Sequence, residues 1–157
     1  MTQTYVSPSQ TFSFDYPDNW KLEREEDGTL ALRRKGGLFQ RGSLRVLRIK
    51  PWVSDKVISP ETYDALVKLR KKEHLDLEIS ENPDLHLMNF HIIKYRKEGF
   101  QDIGERTLPV TQNYWELVIQ NRIFTCYFSV QKEEAESPKT KEEKEIAEKI
   151  LYSLKLL

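Results

Sequence analysis

The sequence predicts an α+β fold, an antiparallel sheet flanked by helices, and three observations lead there. The alternating segment Phe12-Ser-Phe-Asp-Tyr16 runs into Pro17, which has no amide to donate and fixes its own φ, so it reads as a strand closed by a turn. Two aromatic stretches, residues 114–120 and 123–131, are separated only by Asn121-Arg122 and read as a tight hairpin, Asn being tolerant of positive φ. Near the end of the chain Ile146, Ala147, Ile150, Leu151 and Leu154 form one apolar stripe at helical spacing. A hairpin makes at least part of the sheet antiparallel, and helices between and after the strands complete the class.

Taken in order, Asp18-Asn19 supply turn chemistry after Pro17, and residues 21–25 continue as extended chain into the Glu26-Asp27-Gly28 turn. Residues 29–33 alternate as a strand. A glycine-punctuated connection follows over residues 35–42, then a strand over 43–52 with apolar side chains on both faces (Leu44 and Val46 against Leu47 and Ile49), which requires cover on each side of the sheet. Ser59-Pro60-Glu61 starts a helix: Ser caps, Pro sits where its missing amide costs nothing, and Glu favours the positive end. Tyr63, Leu66, Val67 and Arg70 make its inner side, Lys68, Lys71 and Lys72 its wet side, and it ends near His74. Residues 75–79 form a short strand and residues 87–97 a longer one. The glycines and proline of residues 99–112 then predict a long polar loop, read as mobile. After an exposed loop over 133–139, Thr140-Lys-Glu-Glu143 has capping-box spacing. Phe12, Phe14, Trp20, Trp115, Leu117, Phe124, Phe128, Ile146, Ile150 and Leu154 are the expected core.

A chain of 157 residues has the length of one ordinary domain, and a single domain over residues 1–157 is expected. Seven Phe, seven Tyr and three Trp supply core material despite a charged fraction of 32%. The 25 basic and 25 acidic residues cancel, so no global field draws the chain to nucleic acid or to an anionic membrane. No apolar run is long enough to span a bilayer, and the only cysteine, Cys126, has no disulfide partner within the chain. A cytoplasmic protein is the expectation.

The strand Phe12-Ser-Phe-Asp-Tyr-Pro-Asp-Asn-Trp20, the capped helix from Ser59, the aromatic hairpin around Asn121-Arg122 and the closing helix through Ile150-Leu-Tyr-Ser-Leu154 follow one another in an order that covers nearly the whole chain. In this the chain resembles the PsbP/Mog-type α-β-α sandwich. That superfamily includes the extrinsic subunit of photosystem II, a Ran-binding protein, DcrB-like relatives and many small bacterial proteins of unassigned role. The resemblance implies a three-layer sandwich, a bacterial source and a non-enzymatic role, docking onto a protein partner or chaperoning. It carries no catalytic residue with it.

Motifs for chemistry are missing: there is no Gly-x-Ser-x-Gly elbow, no phosphate loop ending in Lys-Ser/Thr and no paired-cysteine metal site. His86 and His91 stand an odd number of positions apart, which on one strand points them to opposite faces, so neither they nor His74 are read as metal ligands. Cys126 lies between Phe124 and Phe128 on one strand face and reads as an inert core thiol. No catalytic residue, metal or cofactor is therefore expected. Between Arg33 and Ser54 there are seven basic residues and no acidic one. The plain interpretation is a charged sheet edge. The functional one is a docking surface for an acidic protein partner, formed by Arg33, Arg34, Lys35, Leu38, Phe39 and Arg41, the glycines around Leu38-Phe39 leaving that pair without a period that would bury it. The expected function is a protein-binding or chaperone-like module, without nucleic acid or membrane. The alternatives are a small-ligand carrier and a metal-dependent hydrolase using the histidines.

Overall fold

The computed structural model describes residues 1–35, 45–51, 60–74, 77–81, 90–119 and 122–157. Ten strands and two helices follow in the order β1 (Thr2–Val6), β2 (Phe12–Pro17), β3 (Trp20–Arg24), β4 (Leu30–Arg34), β5 (Val46–Lys50), α1 (Pro60–Glu73), β6 (Glu78–Glu81), β7 (Phe90–Ile103), β8 (Arg106–Ile119), β9 (Arg122–Gln131), α2 (Pro138–Tyr152) and β10 (Lys155–Leu156). Seven strands make one antiparallel sheet in the order β3-β4-β5-β9-β8-β7-β6, and β1-β2-β10 make a smaller one.

Register assigns the two faces of the large sheet. Trp115 pairs with Cys126 and Leu117 with Phe124, while Leu47 pairs with Phe128 and Ile49 with Cys126. This face carries the main core together with Leu30 and Leu32. It is covered by α2, whose Ala147, Ile150 and Leu151 are buried, and by the small sheet, whose Phe12 meets Phe124 edge-on with centroids 5.3 Å apart. Ala31, Val46, Ile93, Tyr95, Val110 and Val118 are buried on the opposite face, outside the main core. There α1 supplies cover: Arg70 Nε donates to Glu116 Oε1 at 2.7 Å, and the His74 ring stacks on Tyr95 at 4.3 Å. The chain thus forms a three-layer sandwich, α1 over an antiparallel sheet over α2 with the small sheet, the fold class that the sequence predicts.

All of the expected core residues are buried except Ile146, which is half-buried at the edge of α2. Three readings need correction. Residues 99–112 are not a loop: β7 and β8 pair continuously to Ile103↔Arg106 and turn through Gly104-Glu105, Gly104 taking φ +59°. Pro109 fits because β8 meets β9 only from Val110 onward, so no second ladder asks for its missing amide. The two-residue connection between β8 and β9 is shifted by one, since Ile119 pairs with Arg122 and Arg122 already belongs to β9. Finally, α2 is capped by Ser137, whose Oγ accepts from Thr140 N at 3.2 Å with Pro138 in the first turn. Glu143 takes no part in a box; it is buried against Arg45. The strands β1 and β10 were not foreseen. The polar Thr2-Gln-Thr4 and the two-residue β10 carry little periodicity, and both become strands by pairing with β2.

Trp115 and Phe128 have no exposed surface. Trp115→Ala or Phe128→Ala is expected to lower unfolding free energy by about 3–5 kcal/mol in urea denaturation, the usual cost of emptying a packed aromatic site. The Tyr95 hydroxyl donates to Glu116 at 2.5 Å, and burial followed by that carboxylate pushes the phenol well above its ordinary 10.0. The folded phenol resists ionisation that the unfolded chain permits. Its stabilising contribution is therefore complete below that pH and lost as pH rises beyond it. Unfolding experiments from neutral to alkaline pH should show this decline, and Tyr95→Phe should flatten it.

Candidate functional site

Of the basic residues the sequence singles out, the structure places several in structural ion pairs. Arg33 Nη1 lies 3.5 Å from Glu23, and Arg48 Nε donates to Glu25 at 3.0 Å, with its guanidinium over the Tyr127 ring. Arg45, only 13% exposed, donates to Glu134 at 3.0 Å and to Thr140 at 3.0 Å and meets Glu143 at 3.4 Å. Arg34 and Lys35 lie at the exit of β4, where Lys35 N donates to Asn19 O. Leu38, Phe39 and Arg41 lie outside the described residues.

A concavity with a volume of about 600 Å³ lies at the opposite end of the sheet. Here the ends of β1, β3 and β5 converge with the starts of β2, β4 and β9. Its apolar wall is Tyr5, Pro8 and Pro51, and the buried Phe12 and Leu30 also line it. Three cations border it, each from a different strand: Arg24 ending β3, Lys50 ending β5 and Arg122 opening β9. Among the described residues one acidic side chain lies with them, Asp27, in the β3–β4 turn that Gly28 closes at φ +88°. Its carboxylate accepts from Thr29 N at 3.0 Å, which holds its pKa below the ordinary range, with Lys50 assisting.

The remaining wall is the loop joining β1 and β2. Ser7 is buried and its hydroxyl closes the loop on itself, accepting from Thr11 N at 2.9 Å and Phe12 N at 3.2 Å. Gln10 takes φ 55°, and Ser9 and Thr11 end with hydroxyls 2.9 Å apart on the exposed side. The loop is built before any ligand arrives, so ordering it costs binding little. Among the described residues of the basic run noted in sequence, only Lys50 lines this groove. Arg24, Arg122 and the Ser9/Thr11 pair are widely spaced in sequence, and only the convergence of strand ends assembles them.

The two described histidines do not converge on each other. His74 stacks on Tyr95, His91 lies tilted against Tyr63 with ring centroids 4.8 Å apart, and His86 lies outside the described residues. Among the described residues no three His, Cys, Asp or Glu side chains are grouped as metal ligands. Cys126 is fully buried in the main core, and burial pushes its thiol far above the ordinary range, the inert state read from its neighbours. Among the described residues, no helix is long and apolar enough to cross a membrane.

No protein-family model matches the chain, and no curated protein matches it. Among solved structures, the chain is similar to a crystal structure from Bacteroides thetaiotaomicron VPI-5482, with 20% identity and a TM-score of 0.64 over 99% of this chain. It spans about half of that protein, 48% of its chain. It also aligns with the solution structure of cyanobacterial PsbP (CyanoP) from Synechocystis sp. PCC 6803, at 13% identity and a TM-score of 0.48, over 99% of this chain and 92% of the other. The first likeness establishes the fold. Neither assigns a reaction or a ligand.

The ion pairs around Arg45 predict how the basic run divides between structure and surface. Arg45→Ala leaves the buried Glu143 without its cation and should cost about 3 kcal/mol in urea denaturation. Arg34→Ala and Lys35→Ala, on half-buried and exposed side chains, should change stability by under about 0.5 kcal/mol.

Proposed function

We propose that this chain is a non-enzymatic binding module that docks an acidic protein partner. The observation supporting this reading is charge placement. On a chain of zero net charge, Arg24, Lys50 and Arg122 gather around one groove, with Asp27 the one carboxylate among the described residues that line it. A partner carboxylate entering there exchanges water for charged donors held by rigid strand ends, the usual way a scaffold presents a binding surface. His74 and His91, each packed against a tyrosine ring, and the buried thiol fit a role without catalysis. A buried free thiol also fits a reducing, cytoplasmic setting. Arg33, Arg34 and Lys35, at the far end of the same sheet, are the second docking element of this proposal, together with Leu38, Phe39 and Arg41, which lie outside the described residues.

A second reading, the small-ligand carrier, is favoured by the groove's size. About 600 Å³ falls within the roughly 300–1,000 Å³ typical of ligand sites.

The test is an NMR titration of the full chain with a glutamate-rich peptide at increasing salt. Binding should weaken as salt rises, because exposed charges are screened over roughly 8 Å at physiological ionic strength. Charge reversal by Arg24→Glu with Lys50→Glu should weaken it if the groove is the dock, and Arg33→Glu with Arg34→Glu if the loop end is. An acidic peptide that perturbs neither end at low salt overturns the proposal.

A further inference from the structure

We infer that the strand-end groove takes a small organic monocarboxylate with an apolar body, a ligand with one anionic head. The inference rests on the carrier reading of the groove and names what it would carry. Two kinds of wall meet there. Tyr5, Pro8 and Pro51 offer apolar surface, and the exposed Arg24 and Lys50 offer positive charge around it. A purely apolar ligand would leave the cations unused, and a small inorganic anion would leave the apolar wall wet. Only an amphiphilic anion satisfies both.

Asp27 limits the number of charges. Its carboxylate is fixed by Thr29 N and stays ionised beside Lys50, so it repels any second anionic centre brought into the groove. That disfavours a diphosphate and leaves room for one head. The Ser9 and Thr11 hydroxyls, exposed and pre-set by the Ser7 network, bond each other with one O–H and leave the other to donate to an oxygen of that head. A planar carboxylate matches the guanidinium fork of Arg24, which carries paired N–H donors.

The experiment uses the full chain with octanoate, octylammonium, acetate and a glutamate-rich peptide, followed by calorimetry and amide NMR shifts. Octanoate should bind and shift the amides of Tyr5, Ser9, Thr11 and Gly28. Acetate should bind at least about tenfold more weakly for want of an apolar body, and octylammonium should not bind. Arg24→Ala with Lys50→Ala, both exposed and so harmless to folding, should weaken octanoate about tenfold or more. Asp27→Asn keeps an acceptor for Thr29 N and should tighten octanoate binding. Equal binding of octanoate and octylammonium, or unchanged octanoate affinity in the double variant, overturns the inference. If octanoate fails while the peptide shifts the same groove amides, the inference falls and the binding-module reading stands. If neither ligand perturbs the groove, both fall.

Discussion

The register of β8 is the constraint on which the rest of the structure depends. Its odd-numbered residues, from Thr111 to Ile119, lie on the face covered by α2 and the small sheet; its even-numbered ones, from Val110 to Val118, lie on the α1 face. A slip of one position against β7 or β9 would exchange these sets, sending Trp115 and Leu117 under α1 and Glu116 into the main core. The long pairing with β7 and the tight connection to β9 hold this register from both sides.

Each helix layer is tied to the sheet by a buried carboxylate and an arginine, in opposite directions. From α1, Arg70 reaches Glu116 on β8, whereas α2 provides Glu143 to Arg45, the residue preceding β5. Such pairs add little net stability over apolar packing, but they penalise misplaced helices because either partner alone would be a buried, uncompensated charge. For α1 this matters most: none of its described side chains is fully buried, so its position relies on Arg70, His74 and Tyr63 meeting polar and aromatic groups.

This structural use of charge bears on function. A run of basic residues in sequence suggests one cationic surface, but carboxylates claim Arg33, Arg45 and Arg48, and the run's two ends diverge to opposite ends of the sheet. The cations that share a concave site come mostly from elsewhere. Strand ends are rigid and loops between them short, so the groove's geometry follows from the sheet itself.

Much of this fold was legible from the sequence because its signals are local. Alternation in Phe12–Tyr16, the stripe through Leu154 and the helical spacing of Tyr63, Leu66, Val67 and Arg70 each depend on residues a few positions apart, and the face assignments of β9 and both helices followed. Where a local signal was ambiguous, tertiary pairing decided. Gly99 and Pro109 look like loop residues, yet β7 and β8 extend through both, since a ribbon edge without a second neighbour tolerates a missing amide. The candidate site was scarcely legible at all. Lys50 was noted for its charge and Phe12 and Leu30 for their strands, but nothing in sequence brings Arg24, Arg122, Ser9 and Thr11 beside them. By itself the sequence determined which faces are apolar, where the chain turns and that its charges balance, all properties of neighbouring residues. Which cations are neutralised and which converge on a groove was decided only by the tertiary structure, because that depends on distances between strand ends that no local pattern encodes.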